Sequence, residues 1–379
     1  MKQLKRILTS SGSSDILSSL LAVTVGLLAG LVIMLFSNPS QAFRAFWVIL
    51  SSGFSDMRNT GQVLYFATPI IMTGLSVGFA NRTGLFNIGA SGQFILGAFA
   101  AILVGIRNAG LPGPLPWLTA LAAATLAGAL WGAIPGILKA WRNVNEVIAG
   151  IMMNYIGMYL VNYLIVQTVY DRLRNQTQRI PASSVLPRMG MDRIFRSGGS
   201  VSSVNSGIVI AVIAAVLLYI VLERTRFGFE FKACGFNREA ARYAGINEGR
   251  SIILSLMIAG ALAGLGGGLL YLAGSGKSID VVDVLAAEGF TGIPVALLGL
   301  NNPLGIIFSG ILISYLTVGG FNMQLYSFVP QVIEIITAVI IYFSAFALLL
   351  KAFLQNKLPD EELSKAMEPD PGLSPKGEE

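Results

Sequence analysis

Residues 251–273 read SIILSLMIAGALAGLGGGLLYLA, a stretch without one Asp, Glu, Lys or Arg. Coiled as an α-helix it rises about 35 Å at roughly 1.5 Å per residue, enough to cross a hydrocarbon core of about 30 Å. It is apolar on every face, so no amphipathic surface helix explains it, and inside a bilayer only a helix keeps all its backbone groups paired. The stretch is read as a transmembrane helix.

Working outward, the same reading applies to ten runs: 16–36, 63–80, 88–106, 115–138, 146–166, 207–222, 251–273, 284–300, 303–321 and 328–350. Among the chain's 26 basic and 20 acidic residues, only Glu146, Glu288 and Glu334 fall inside them. The expected fold class is therefore all-α, a polytopic membrane protein of about ten transmembrane helices. The runs 207–222 and 284–300 are short, and 88–106 reads either as a crossing or as a re-entrant dip.

Composition agrees. Of 379 residues, 54% are hydrophobic and 12% charged, about half the charged share of an average soluble domain. There is no His and a single Cys, Cys234, which excludes disulfide frameworks, His-based metal sites and His or Cys–His catalysis. Neither a catalytic residue nor a cofactor or metal is expected. The net charge of +6 is spread over loops with no basic helix, so nucleic acid is not the expected partner.

Those loop charges set an expected orientation. With the amino terminus in the cytoplasm, 16 Lys and Arg lie inside and 10 outside, and six of the outside ones sit in the forty-residue loop 167–206, where the rule binds less. Both termini are expected inside. The domain reading is a cytoplasmic segment 1–15, a membrane domain 16–354 with an external loop 167–206 and a cytoplasmic loop 223–250, and a disordered tail 355–379 rich in Pro and acid.

Two phosphate-binding look-alikes are set aside. Gly274–Ser278 (GSGKS) ends like a P-loop, but Tyr271 stands where that motif needs Gly and an apolar helix precedes it instead of a strand. Gly264–Gly268 (GLGGG) lies mid-span, no place for a dinucleotide fold. Gly128, Gly132 and Gly136 on one span, and Gly260, Gly264 and Gly268 on another, are spaced to let backbones approach, with packing the expected use and a lining role the alternative.

The cytoplasmic loop ERTRFGFEFKACGFNREAARYAGINEGR (223–250) carries the most chemistry. Ala240 and Ala241 give a helix small side chains, Arg238, Glu239 and Arg242 give it polar edges, and Gly245 is suited to end it in a left-handed turn. An ordinary solvated loop is the plain alternative. Polar residues inside spans, Asn87, Ser91, Gln93, Asn154 and Asn162, carry two readings, a path for a neutral hydrogen-bonding solute or interhelix glue. Glu146 after Asn145, Glu288 after Asp283 and Glu334 after Pro330 stand near helix starts and read as dipole partners before proton relays.

The Glu239–Ala240–Ala241 and Gly245 core resembles the coupling loop of ATP-driven (ABC) importer permeases. Together with GLFNIGASGQFILGA (84–98), NVNEVIAGIMMNYIG (143–157) and GFTGIPVALLGLNNPLG (289–305), the loop GFNREAARYAGI (235–246) resembles the branched-chain-amino-acid/ribose permease superfamily, most of all its nucleoside and simple-sugar uptake branch. The resemblance covers about 65–350. It implies a bacterial inner-membrane permease, with ATP hydrolysis in a separate ATPase subunit docked on residues 238–245. It further implies a second homologous permease and an extracytoplasmic solute-binding lipoprotein. The implied solute is a nucleoside, with riboflavin or a simple sugar as alternative. Many relatives carry Glu where Ser91 stands, so no carboxylate role transfers there. The rival from another class, an ion-coupled secondary transporter, requires buried carboxylates beyond helix-start glutamates.

Overall fold

The computed structural model describes residues 11–329 and, beyond them, 331, 332, 334–336, 338, 339, 342 and 343, with side chains described from Val23 onward. Residues 1–10 of the expected N-terminal segment, the tail 355–379 and most of the run 328–350 lie outside the described residues.

The helices run in chain order as α1 (Ser11–Ser37), α2 (Pro39–Ser51), α3 (Met57–Arg82), α4 (Ala90–Arg107), α5 (Leu115–Arg142), α6 (Glu146–Thr168), α7 (Met191–Ile194), α8 (Gly207–Arg224), α9 (Arg226–Phe236), α10 (Arg238–Tyr243), α11 (Glu248–Tyr271), α12 (Ala287–Leu298) and α13 (Pro303–Met323). Two antiparallel hairpins of two-residue strands, β1–β2 (Tyr170–Asp171 with Gln176–Thr177) and β3–β4 (Arg196–Ser197 with Ser200–Val201), lie in the 167–206 loop. Among the described residues seven helices are long and apolar enough to cross a membrane: α3, α4, α5, α6, α8, α11 and α13 with the turn after it.

Two expectations are refined. The run 284–300 is helical only as α12, twelve residues and about 18 Å, too short to cross alone. The connection 37–62 holds α2, which packs on α13: Ile49 meets Gly319, and the Leu50 carbonyl accepts from the Tyr315 hydroxyl. Polar Ser40, Gln41 and Arg44 had hidden this helix from an apolar-run reading.

Backbone contact organises the centre. The two expected glycine stripes pack on each other, α5 against α11: a Cβ on Gly264 would stand 2.8 Å from the Gly128 Cα, and Gly132 meets the Leu256 carbonyl. Gly97 of α4 meets Gly264 as well, so α4, α5 and α11 form a glycine-lined triplet. Side chains at these positions would push the helices apart.

The bundle has two ends. At one, Arg82 Nε donates to the Asn301 carbonyl (3.2 Å), Asn81 donates to the Asn301 side chain (3.0 Å), and α9 and α10 lie beside them. At the other, the 169–206 loop is tied down: Ser183 Oγ donates to Ala109 O (2.9 Å), the Leu186 amide to Leu272 O (2.9 Å), and the Thr177 amide to Ile279 O (2.9 Å).

Candidate translocation site

Two connections between consecutive helices break the helical order and meet inside the bundle. After α3 ends at Arg82 the chain turns through Gly84 (φ +71°) and stays non-helical to Gly89 before α4 starts. After α11 it stays non-helical from Leu272 to Ala286 before α12 starts. The helices then run opposite ways, α4 to the Ala109 end and α12 to the Asn301 end. Their starts meet: Ser91 Oγ donates to the Ala286 carbonyl (2.8 Å), and a Cβ on Gly289 would stand 2.5 Å from the Ser91 nitrogen. Gly292 packs on Thr73, and a Cβ on Gly266 would stand 2.9 Å from the Met72 Cβ and 3.7 Å from the Phe94 ring, so the junction is beside the middle of α3.

Each helix start carries a partial positive charge of about half a unit, and at the start of α4 a side-chain oxygen accepts from it. Asn154 Oδ1 accepts from the Gly92 amide (2.8 Å) while its Nδ2 donates to the Ile88 carbonyl (2.9 Å), so one side chain of α6 holds both sides of the first break. Asn87 and Gln93 exchange two hydrogen bonds (2.8 and 3.1 Å), and Asn87 also donates to Ser76 Oγ (3.0 Å), which in turn donates to Ala259 O (2.6 Å). At the second break Asn162 Nδ2 donates to Val282 O (3.0 Å) and Asp283 Oδ1 (3.1 Å).

Residues 59–345 match the family described as branched-chain amino acid transport system / permease component. The chain belongs to that family. It is similar to the guanosine ABC transporter permease protein NupP of Bacillus subtilis, 39% identical over 91% of this chain and 97% of that one. It is similar to the nucleoside ABC transporter permease protein NupB of Lactococcus lactis, 35% identical over 93% and 96% of the two chains. It also resembles the glucose ABC transporter permease protein TsgB13 of Haloferax volcanii, 35% identical over 87% and 86%. No solved structure matches it.

In this permease Asn87, Ser91, Gln93 and Asn154 come together around the two helix starts, all buried and all hydrogen-bonded within the chain. The residues of the 223–250 loop lie at the Asn301 end of the bundle, where Gly235 meets Gly84 of the first break. Asn237 Oδ1 accepts from the Ala240 amide (3.0 Å) and caps α10, and Gly245 takes φ +82°, with its amide on Arg242 O (3.0 Å) and the Ile246 amide on Ala241 O (3.0 Å) closing the helix. Glu239, Ala240 and Arg242 are exposed, Arg238 is half-buried, and Ala241 faces inward. The neighbouring Phe236 and Tyr243 are 89% and 93% exposed, an aromatic pair on the rim of α10.

Glu146 lies in the first turn of α6, capped by Asn145, and pairs with Lys139 (2.9 Å). Glu288 lies in the first turn of α12 and pairs with Lys277 (2.7 Å), which is 5.6 Å from the Tyr271 ring centre. The GSGKS stretch is thus a loop following a helix, with its lysine held by a carboxylate. Glu334 is exposed in the partly described last helix. Among the described residues no group of His, Cys, Asp and Glu is placed to hold a metal. Sequence reasoning missed Asn301, whose only signal was the Asn301-Asn302-Pro303 turn, and the exposed tyrosines of α6, visible as Tyr155, Tyr159 and Tyr163 four apart.

Proposed function

We propose that this permease is the membrane-spanning subunit of an ATP-driven importer and that its solute is a nucleoside. The observation that carries the reading is the similarity over more than nine-tenths of the chain, at 39% and 35% identity, to permeases whose names specify guanosine and nucleosides. The amide and hydroxyl groups of Asn87, Ser91, Gln93 and Asn154 at the start of α4 support a neutral, hydrogen-bonding solute.

In this reading the chain crosses a bacterial inner membrane ten times with both termini in the cytoplasm, the 16-to-10 distribution of basic residues being the support. The tenth crossing corresponds to 328–350, and α12 with the unwound 279–286 makes one broken crossing. Segments 1–15 and 355–379 then flank a membrane domain 16–354, with 167–206 external. A separate ATPase docks on Arg238, Glu239, Ala240, Ala241, Arg242 and Gly245. A second homologous permease completes the pathway, and an external lipoprotein delivers solute. Asn87, Ser91, Gln93 and Asn154 set the two helix breaks beside the path, so that shifting α9 and α10 moves the breaks.

The similarity to a glucose permease favours a second reading, a simple-sugar importer of the same architecture. Uptake of labelled guanosine and labelled glucose, in cells with and without this gene, tests both. Guanosine uptake lost with the gene and glucose uptake retained is the expected result; loss of glucose uptake alone overturns the nucleoside reading. Uptake of either that continues when ATP is depleted overturns the importer.

A further inference from the structure

Of the exposed faces of α5, α6 and α8, one differs. The exposed positions of α5 (Leu126, Leu130, Ile134) and of α8 (Ile213, Leu217, Ile220) are aliphatic, as lipid contact requires. On α6 the exposed positions include the apolar Ile148, Met152, Ile156 and Val166, but among them stand Tyr155, Tyr159 and Tyr163, 47%, 55% and 63% exposed. Lipid-facing tyrosines belong at the headgroup level, yet Tyr155 and Tyr159 stand only about 3 Å along the axis from the middle of a 23-residue helix. None of the three hydroxyls has a hydrogen-bond partner among the described residues. A hydroxyl left unpaired in hydrocarbon is unfavourable, so this face is not turned to lipid tails.

The same face borders the second break. Asn162, one residue before Tyr163, holds the unwound chain at Val282 and Asp283, and the exposed Val284 continues that edge. Behind the tyrosines, Asn154 of the same helix holds the first break. The tyrosines therefore lie on the helix whose Asn154 and Asn162 hold both breaks.

We propose that Tyr155, Tyr159 and Tyr163 form a stacking ladder that contacts the aromatic ring of the transported solute. The inference rests on the nucleoside reading above and extends it to named residues. Four-residue spacing sets successive rings about 6 Å apart along the axis, so a flat base passes from one ring face to the next over about 12 Å. Base–aromatic stacking tolerates any base, and weak, repeated sites suit passage because a solute held too tightly does not leave. The second permease closes the path from the other side.

The test uses the assembled transporter in cells, with guanosine as probe. Tyr159→Phe is expected to keep uptake and Tyr159→Leu to lower it about tenfold, the scale of one lost stack, while the complex still assembles and still hydrolyses ATP when solute-loaded lipoprotein is added. Single cysteines in a Cys234→Ser background give an independent measurement. Tyr159→Cys is expected to react with a charged, membrane-impermeant thiol reagent and to be protected by guanosine, with Ile213→Cys on α8 unreactive. Equal uptake by the Leu and Phe variants, loss of assembly in the Leu variant, or an unreactive Tyr159→Cys each overturns the ladder. If the unmutated transporter moves no guanosine, the nucleoside reading itself fails and takes the ladder with it, an outcome distinct from the other three.

Discussion

The backbones of Gly84 and Gly235 touch: a Cβ on Gly84 would stand 2.5 Å from the Gly235 Cα, and one on Gly235 would stand 2.7 Å from the Gly84 nitrogen. Gly235 closes α9 just before Asn237 caps α10, and Gly84 opens the first break. On the other side of Gly84, Arg82 and Asn81 hold Asn301, at the turn that follows α12. The end of α9, next to α10, thus touches the first break by backbone, and the side chains of Arg82 and Asn81 carry the link on to the turn after α12.

Gly235→Ala places a methyl group in that contact without demanding a left-handed φ, unlike Gly84, whose φ is +71°. Overpacking of this kind costs about 1–3 kcal/mol and shifts the backbone. The expected outcome is a transporter that assembles and hydrolyses ATP but takes up solute several-fold more slowly. Uptake measured against ATP hydrolysis in the same membranes checks it. An unchanged ratio of the two removes the contact from the coupling route.

Asn154 makes two buried hydrogen bonds to backbone groups of the first break, the Gly92 amide and the Ile88 carbonyl. Asn154→Leu leaves both polar groups without a partner, at about 1–3 kcal/mol each. The detergent-solubilised protein should lose several degrees of thermal midpoint, and uptake should fall with it. Asn154→Asp keeps the acceptor for Gly92 but gives up the donor to Ile88, so it should retain no more than part of that stability.

Why this side chain matters was not legible in the sequence. Its partners lie 62 and 66 positions away on a segment whose own composition is apolar. The spans themselves were legible, because a helix free of charge over about 20 residues has few other solvents. The gap between the runs 251–273 and 284–300 was legible too, but the non-helical backbone of Val284, Leu285 and Ala286 was not, since these residues keep the stretch apolar and transfer energies do not report backbone dihedrals. Only Asp280 and Asp283 hinted at it. The helix of the 223–250 loop was legible: its small alanines and its end at the left-handed Gly245 follow from local chemistry. That Ala241 turns inward and Ala240 outward was not.

The glycine stripes predict a position-dependent tolerance. At Gly260 an added Cβ would run into the Gly128 carbonyl and lie 3.1 Å from the Gly132 Cα, backbone that has no rotamer to yield. Gly260→Val should abolish accumulation of folded protein in the membrane. Gly249, in the first turn of the same helix, meets nothing nearer than 3.7 Å, and Gly249→Ala should be neutral or stabilise by up to about 1 kcal/mol. Membrane abundance and thermal midpoint of the pair compare the two; equal loss in both would deny the stripe its packing role.

Adjacent alanines on α10 separate docking from folding. Ala240 is exposed and Ala241 is 3% exposed, so the same substitution asks a different question at each. Ala241→Leu must find room inside and is expected to lower thermal stability by about 1–3 kcal/mol before any partner is considered. Ala240→Leu adds its bulk to the outer surface, where the permease alone gains or loses little. If a partner ATPase seats on that surface between Phe236 and Tyr243, Ala240→Leu should leave the thermal midpoint unchanged, release the ATPase on purification and stop uptake, while the external lipoprotein still captures solute. Retained ATPase and uptake in a normally stable Ala240→Leu permease would move the docking surface elsewhere.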